Sequence, residues 1–241
     1  MHGLIEVPSQ LIDGQIRPEL SDPDIADALM EQRQIVMLKH IMPPETLNAI
    51  RIAVHEWGKD MPVAPAGSAL DENFHAFESG ISPRQKTLHT YHAYNFNQIM
   101  RLPAALRDLL LSVFEPMRKF QNRISGENSG WDLDSSGKKL HPQVIHYPSG
   151  GGMFAAHVHP LLPQRLGLIL SISQRGRDFT TGGAGFELPD GTLVDPAAHH
   201  DLSDMVMFRY DLRHWVSFVD QELALDRNAI RGRWVMVLPY Y

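Results

Sequence analysis

From about residue 140 to its end the chain breaks into short apolar runs, QVIHY, MFAAHVH, LGLILSIS, AGFEL, TLVD, DMVMFRY, HWVSFV and RWVMVLPYY, separated by Gly, Pro and Asp. Runs of this length, rich in β-branched and aromatic residues and punctuated by turn formers, read as strands rather than helices. LPDGTL sets Asp190-Gly191 between two of them, the composition that a tight hairpin turn with positive φ requires.

The first half has another texture. DPDIADALMEQR places an acidic cap before Pro23 and puts Ile25, Ala28 and Leu29 on one face, which predicts a short helix. IVMLKHI predicts a strand. PPETLNAIRIAVHEW, with Leu47, Ile50, Val54 and Trp57 at spacings of three and four, predicts a second helix. The opening therefore reads helix, strand, helix. Residues 58 to 85 carry neither period and are rich in Gly, Pro, Ser and charge, so they are expected to form a long irregular connection of the kind often used as a lid. RLPAALRDLLLSVFEPMRKF carries a continuous stripe from Leu106 to Met117 and is the clearest helix in the sequence, expected to kink or end at Pro116. With 241 residues, the chain reads as a single domain, 1–241, in which 1–139 supports and covers a β core at 140–241.

Composition narrows the chemistry. The sequence has no cysteine, which excludes disulfides, thiolate ligands and cysteine nucleophiles, so any metal must be held by His, Asp or Glu. A formal charge of −6 offers no basic surface to nucleic acid or to an anionic membrane. MHGLIEVPSQLIDGQ lacks a cationic start followed by an apolar stretch, and no window approaches the length of a membrane span. The expectation is a soluble, cytoplasmic protein with a small-molecule substrate, and with neither nucleic acid nor membrane as partner.

Thirteen histidines are many, and their positions matter more than their number. In GGGMFAAHVHP, His157 and His159 are two apart in a strand-like run, which aims both imidazoles to one side. The same spacing also arises in ordinary interior or surface pairs. His214 follows an apolar strand and a polar turn, where sheet closure would bring a third ring to the first two; otherwise it packs on Trp215. Three imidazoles, or two with a carboxylate, leave open positions on a metal, as non-haem iron oxygenases require. Asp204 and Glu187 are the alternative carboxylates. His199, His200 and Asp201, in DPAAHHDLSD, read as solvated. His89 and His92, in TLHTYHAYNF, are placed to border a pocket from an added strand.

These residues resemble the Fe(II)/2-oxoglutarate oxygenase superfamily, most specifically from Val144 to Tyr241. VIHYPSGGGMFAAHVH is similar to that family's tyrosine, glycine turn and first metal strand. LSDMVMFRYDLRH resembles its strand leading to the distal histidine, and RGRWVMVLPYY its closing arginine strand. IVMLKHIMPPETLNAIR resembles the strand and helix that precede the barrel. The resemblance implies a mainly β, α+β fold: a double-stranded β-helix, or jelly-roll, cupin-like barrel with N-terminal and flanking helices on its outer sheet. It implies an oxidoreductase that uses Fe(II), 2-oxoglutarate and O₂ to hydroxylate, desaturate or cyclise a small molecule, amino-acid-like or of natural-product type.

By the same resemblance His157 and His214 are iron ligands, His159 stands where the family has Asp or Glu, and Arg233 or Arg231 pairs with the distal carboxylate of 2-oxoglutarate. Tyr147 stands where a phenol often bonds that co-substrate. A histidine in place of a carboxylate makes the centre one charge unit more positive. Halogenase-type members have a small residue there, so His159 argues against halogenation. His159 either ligates or turns away. The span between His214 and Arg233 is longer than usual, with QELALDRNAIRG inserted as a loop or short helix. Two other readings stay open: a cupin-type three-histidine dioxygenase that needs no 2-oxoglutarate, and a non-catalytic binding protein on the same barrel.

Overall fold

The computed structural model describes residues 3–64, 72–81 and 86–241. The C-terminal runs form strands β6 (Gln143–Pro148), β7 (Gly152–His157), β8 (Leu166–Ser171), β9 (Gly183–Glu187), β10 (Leu193–Val194), β11 (Met205–Arg209), β12 (Arg213–Val219) and β13 (Gly232–Val237). They pair antiparallel as two four-stranded layers. β13 lies between β6 and β8, with β11 beyond β8, and β12 lies between β7 and β9, with β10 beyond β9. Successive strands mostly alternate between the layers, which is the double-stranded β-helix expected from the sequence.

The remaining strands extend this core. β1 (Leu4–Ile12) pairs antiparallel with β2 (Gln15–Pro18) and parallel with β3 (Ile35–Lys39), and β3 adds antiparallel to β11. β5 (Leu88–Phe96) pairs with β6, with β7 and along its whole length with β4 (Asn73–Ile81). It therefore ties the two layers together along one side.

Period-two alternation assigns each layer an inside and an outside. On β13, Trp234 and Met236 join the helix-covered cluster, whereas Val235 packs with Tyr147 of β6 and Val216 of β12 between the layers. On β11, Met205 and Met207 face the helices, while Val206 and Phe208 meet Ala184 and Phe186 of β9. The Phe186 and Phe208 rings stand 4.9 Å apart across the interior. Helices α1 (Asp22–Met30), α2 (Pro44–Asp60) and α3 (Ala104–Ser125) cover the outer face of the β6–β13–β8–β11 layer.

Several expectations need correction. The opening is hairpin, helix, strand, helix: LIEVPSQLI carries Pro8 and only Leu4, Val7 and Ser9 of it are buried. Its strand conformation is imposed by pairing with β3 rather than by its own pattern. Residues 58 to 85 are not an irregular connection throughout, because α2 runs to Asp60 and NFHAFESGI is β4. A histidine, His75, fills the buried outer position where an aliphatic residue would have signalled a strand. The rest of that supposed lid, at 65–71 and 82–85, lies outside the described residues.

α3 does not end at Pro116 but continues to Ser125. The buried stripe of Leu110, Val113, Phe114, Met117, Phe120 and Ile124 outweighs the roughly 3 kcal/mol cost of an interior proline. The 220–232 insertion is a loop without helix. The expected turn joins β9 to β10, with Gly191 at φ +84° and the Asp190 carboxylate accepting from the Thr192 N–H at 2.9 Å.

α2 reaches the sheet closely because Gly58 has no side chain; a Cβ there would stand 2.6 Å from Cε1 of Tyr94. Gly58→Val should therefore destabilise the protein by about 1–3 kcal/mol through overpacking. Urea unfolding of the variant checks this, and unchanged stability would refute tight packing at this contact.

Candidate active site

β7 and β12 are neighbours, and their register sets His157 directly opposite His214. His157 is the last residue of β7 and His159 lies two positions beyond it, outside the strand. The three rings converge: centroids are 4.3 Å apart for His157 and His214, 4.9 Å for His157 and His159, and 5.2 Å for His159 and His214. One nitrogen from each lies within 4.8 Å of the other two, and no other such histidine or carboxylate group occurs among the described residues. The structure thus brings together all three predicted ligands. His159 turns toward its partners, and its ring stacks on Tyr210 at 4.2 Å.

A bulge shapes this end of the pair. His214 opposes His157 but Val216 opposes Phe154, so β7 spends three residues where β12 spends two. The extra residue brings the Phe154 ring onto the histidine face, 4.0 Å from His157.

Hydrogen bonding fixes which nitrogens are available. Nδ1–H of His157 donates to the Ala155 carbonyl at 2.9 Å, and Nδ1–H of His214 donates to the Leu212 carbonyl at 2.8 Å. A carbonyl only accepts, so each ring carries its proton on Nδ1 and presents the Nε2 lone pair. Burial pushes both pKa values down, and for His214 the neighbouring His157 adds to it. Phe208, 4.6 Å from His214, supplies part of that apolar floor. Two buried, neutral, tautomerically fixed imidazoles with a third beside them suit a borderline divalent metal such as Fe(II).

Arg233 and Tyr147 are register partners on β13 and β6. The guanidinium carbon lies 5.8 Å from the Tyr147 ring centroid, and both side chains are buried. Burial pushes the Tyr147 phenol up to about 12 and lowers Arg233 to about 10. Nη1 of Arg233 has no hydrogen-bond partner, and no carboxylate pairs with this side chain among the described residues. An unpaired buried cation costs several kcal/mol, a cost that an anion seated beside Arg233 would offset. A run of rings links the two features: Tyr147 to Tyr91 at 6.0 Å, Tyr91 to Phe154 at 5.5 Å, and Phe154 to His157.

Arg231 does not join them. It is exposed and precedes β13, because Gly232 at φ +142° interrupts the alternation that would have aligned it with Arg233. Glu187 pairs with Arg213 at 2.7 Å, and the fully buried Asp204 pairs with Lys39, so neither supplements the imidazoles.

The DPAAHHDLSD loop departs from its solvated reading. His199 is half-exposed and pairs with Glu6 at 2.9 Å, but His200 is 4% exposed and its Nδ1 lies 3.5 Å from Nη2 of Arg233. Position in a polar loop gave no sign of this contact. His89 lies on the inner face of β5, 3.2 Å from Glu78 and with its ring 5.6 Å from Phe154, on the side of the histidine group. His92 faces the other side and bonds His75 at 2.7 Å. A separate groove of about 420 Å³, lined by Leu193, Trp215 and Phe218 among others, lies on the outer face of the β7–β12–β9–β10 layer.

No family model matches the sequence, and no curated protein does. Solved structures resemble the fold. A prolyl-4-hydroxylase from Pseudomonas putida is similar at TM-score 0.54 and 12% identity, over 89% of this chain and 97% of that one. An oxidoreductase of the 2OG-Fe(II) oxygenase family from Burkholderia pseudomallei is similar at TM-score 0.51 and 15% identity, over 92% and 90%. SnoN, a non-heme alpha ketoglutarate dependent epimerase from nogalamycin biosynthesis, is similar at TM-score 0.54 and 13% identity, over 91% and 83%. The described helices include none long and apolar enough to cross a membrane.

Buried neutral histidines make the fold acid-sensitive. His92 is lowered to about 4 and His146 and His200 to about 3, all chiefly by burial, in addition to His157 and His214. Unfolding restores values near 6.5, so the unfolded chain binds more protons below that pH. Stability is fully present above about 6.5 and is lost as pH falls toward the folded values, by about 1.4 kcal/mol per unit for each histidine. From His92, His146 and His200 alone, metal-free protein should lose about 6 kcal/mol between pH 7.5 and 5, and urea titrations at both pH values measure it. A flat profile would contradict the burial of these rings.

Proposed function

We propose that the chain is an iron(II)- and 2-oxoglutarate-dependent oxygenase that hydroxylates, desaturates or cyclises a small molecule at an unactivated C–H bond. The observation that carries this reading is a buried guanidinium without a carboxylate partner, in the same β-helix interior as three convergent imidazoles.

His157, His159 and His214 would hold the iron through one nitrogen each, with His157 and His214 offering Nε2. The planar donor fork of Arg233 matches the distal carboxylate of the co-substrate, which would also relieve the cost of burying Arg233 unpaired. Tyr147 lies alongside and limits where that carboxylate can sit. Three neutral imidazoles leave the iron one unit more positive than a set containing a carboxylate, which favours a dianionic keto acid. Phe154, Phe186 and Phe208 keep water from the ligand side of the rings. When bound with O₂, iron and 2-oxoglutarate supply oxidative decarboxylation to succinate coupled to oxidation of the substrate. The charge of −6 supports a partner other than nucleic acid.

A three-histidine dioxygenase that needs no 2-oxoglutarate would share the metal group but would have no use for Arg233. Oxygen consumption that requires 2-oxoglutarate and releases succinate separates the two. His157→Ala and His214→Ala should each reduce this turnover by at least about a hundredfold. Arg233→Leu should raise the 2-oxoglutarate concentration for half-saturation on the order of a hundredfold, from loss of a buried charged pair. Iron affinity lost in His159→Ala but kept in His159→Asp would mark position 159 as a ligand position; full turnover by His157→Ala or His214→Ala would refute the assignment.

A further inference from the structure

We infer that His200 is the positioning residue of Arg233, a neutral acceptor that orients the guanidinium and leaves its charge for the distal carboxylate of a dicarboxylate co-substrate. This rests on the co-substrate reading given above.

His200 follows the 3-10 turn Pro196–Ala198 in the connection from β10 to β11. Its Nε2–H donates to the Asp204 carbonyl at 3.0 Å, an atom that only accepts. The proton is thereby fixed on Nε2, and Nδ1 presents a lone pair to Nη2–H of Arg233 at 3.5 Å. The anchor is itself rigid. Asp204 is fully buried, and its carboxylate accepts from Lys39 and from the backbone N–H groups of His40 and Asp201, each at 3.0 Å. One edge of the guanidinium is therefore held from the loop side, while Nη1 stays unengaged.

The residue type matters more than the contact. A carboxylate at position 200 would form the stronger bond to Arg233 and would also cancel its charge, closing the seat to an anion. A cationic group would repel it. A neutral imidazole orients without neutralising, and burial beside Arg233 keeps His200 neutral, with its pKa lowered to about 3. Arg175 also acts on both groups through space, but its Nη1 and Nη2 are held by the Thr180 and Gly182 carbonyls, while its Nε has no hydrogen-bond partner among the described residues.

The test compares two keto acids that share the metal-binding end, 2-oxoglutarate and 2-oxobutyrate, which lacks the distal carboxylate. Each is titrated anaerobically by calorimetry into iron(II)-loaded protein. His200→Phe, which keeps a ring but loses the acceptor, should weaken 2-oxoglutarate about tenfold and leave 2-oxobutyrate unchanged. His200→Asn, which restores a neutral oxygen acceptor, should recover to within about threefold of wild type. His200→Asp, nearly the same shape as Asn but anionic, should weaken 2-oxoglutarate on the order of a hundredfold. Iron affinity should stay constant throughout.

Wild-type preference for 2-oxoglutarate retained in full by His200→Phe overturns the inference alone. So does Asn binding as weakly as Phe, which would make the ring a mere filler. Should the Phe variant fail to fold, the Asn and Asp pair decides: equal affinities for 2-oxoglutarate overturn the idea that charge at this position is excluded. If the wild-type protein itself does not prefer 2-oxoglutarate to 2-oxobutyrate, the co-substrate reading fails and takes this inference with it.

Discussion

The pairing of β7 with β12 is the contact on which the site depends. Its register alone sets His157 against His214, and a slip of one residue would send one ring to the outer face. The register is held from both sides: β9 pairs with the other edge of β12, and the Phe186 and Phe208 rings fill the space between layers just below His214. The bulge that brings Phe154 onto the same face lies at the end of β7, and a second irregularity between Val216 and Val219, where β12 spends three residues against two of β7, restores the count along the pair. Packing and ligand preparation are therefore one event. Closing the layers buries the rings, burial disfavours their protonated forms, and the local carbonyls then choose the tautomer.

A second set of interactions holds the loops at the ends of the barrel. Asp220 is fully buried, accepting from the hydroxyl of Ser149 at 2.6 Å and from the backbone N–H groups of Thr180 and Thr181 at 2.8 Å. One carboxylate thereby joins the β6–β7 turn, the approach to β9 and the end of β12. Asp204 does the same for the loop before β11 and the end of β3 through Lys39 and His40. Both acids lower the freedom of chain segments that carry or support site residues, and neither is a ligand. Neither carboxylate pairs with Arg233 among the described residues.

How much was legible in the sequence divides along physical lines. The eight core strands, the three helices and the histidine triad rest on signals that are local, namely apolar runs, cap residues and a two-residue spacing. β4 and the β1–β2 hairpin are strands by virtue of what they pair with, since their own residues mix Pro, Gly, Ser and charge. Arg231 was ambiguous because alternation alone cannot foresee that β13 starts at Gly232 with a positive φ, leaving Arg231 outside the strand. His200 was hidden for a related reason: burial of a polar loop residue is decided by Asp204, which draws its backbone inward, and not by its neighbours in sequence.

The thirteen histidines show why residue counts were a weaker guide than faces. β5 carries His89 on its inner side and His92 on its outer side, three positions apart. The outer rings form a core of their own. The Tyr94 hydroxyl donates to Nδ1 of His92 at 3.4 Å, which leaves Nε2–H of His92 to donate to Nδ1 of His75, and Nε2–H of His75 to the Met61 carbonyl. His146 stacks on Trp234 at 4.2 Å and donates to the Arg231 carbonyl. His75 and His92 act as polar aromatic packing whose Nδ1 lone pairs both accept hydrogen bonds, whereas the buried Nδ1 of His146 has no hydrogen-bond partner among the described residues and no second imidazole converging on it. Among the described residues, the Nδ1–H groups of His157 and His214 are engaged by carbonyls on the far edge of each ring, and their free edges converge with His159 on one point, which is what marks these rings as candidate ligands and His146 as a core residue.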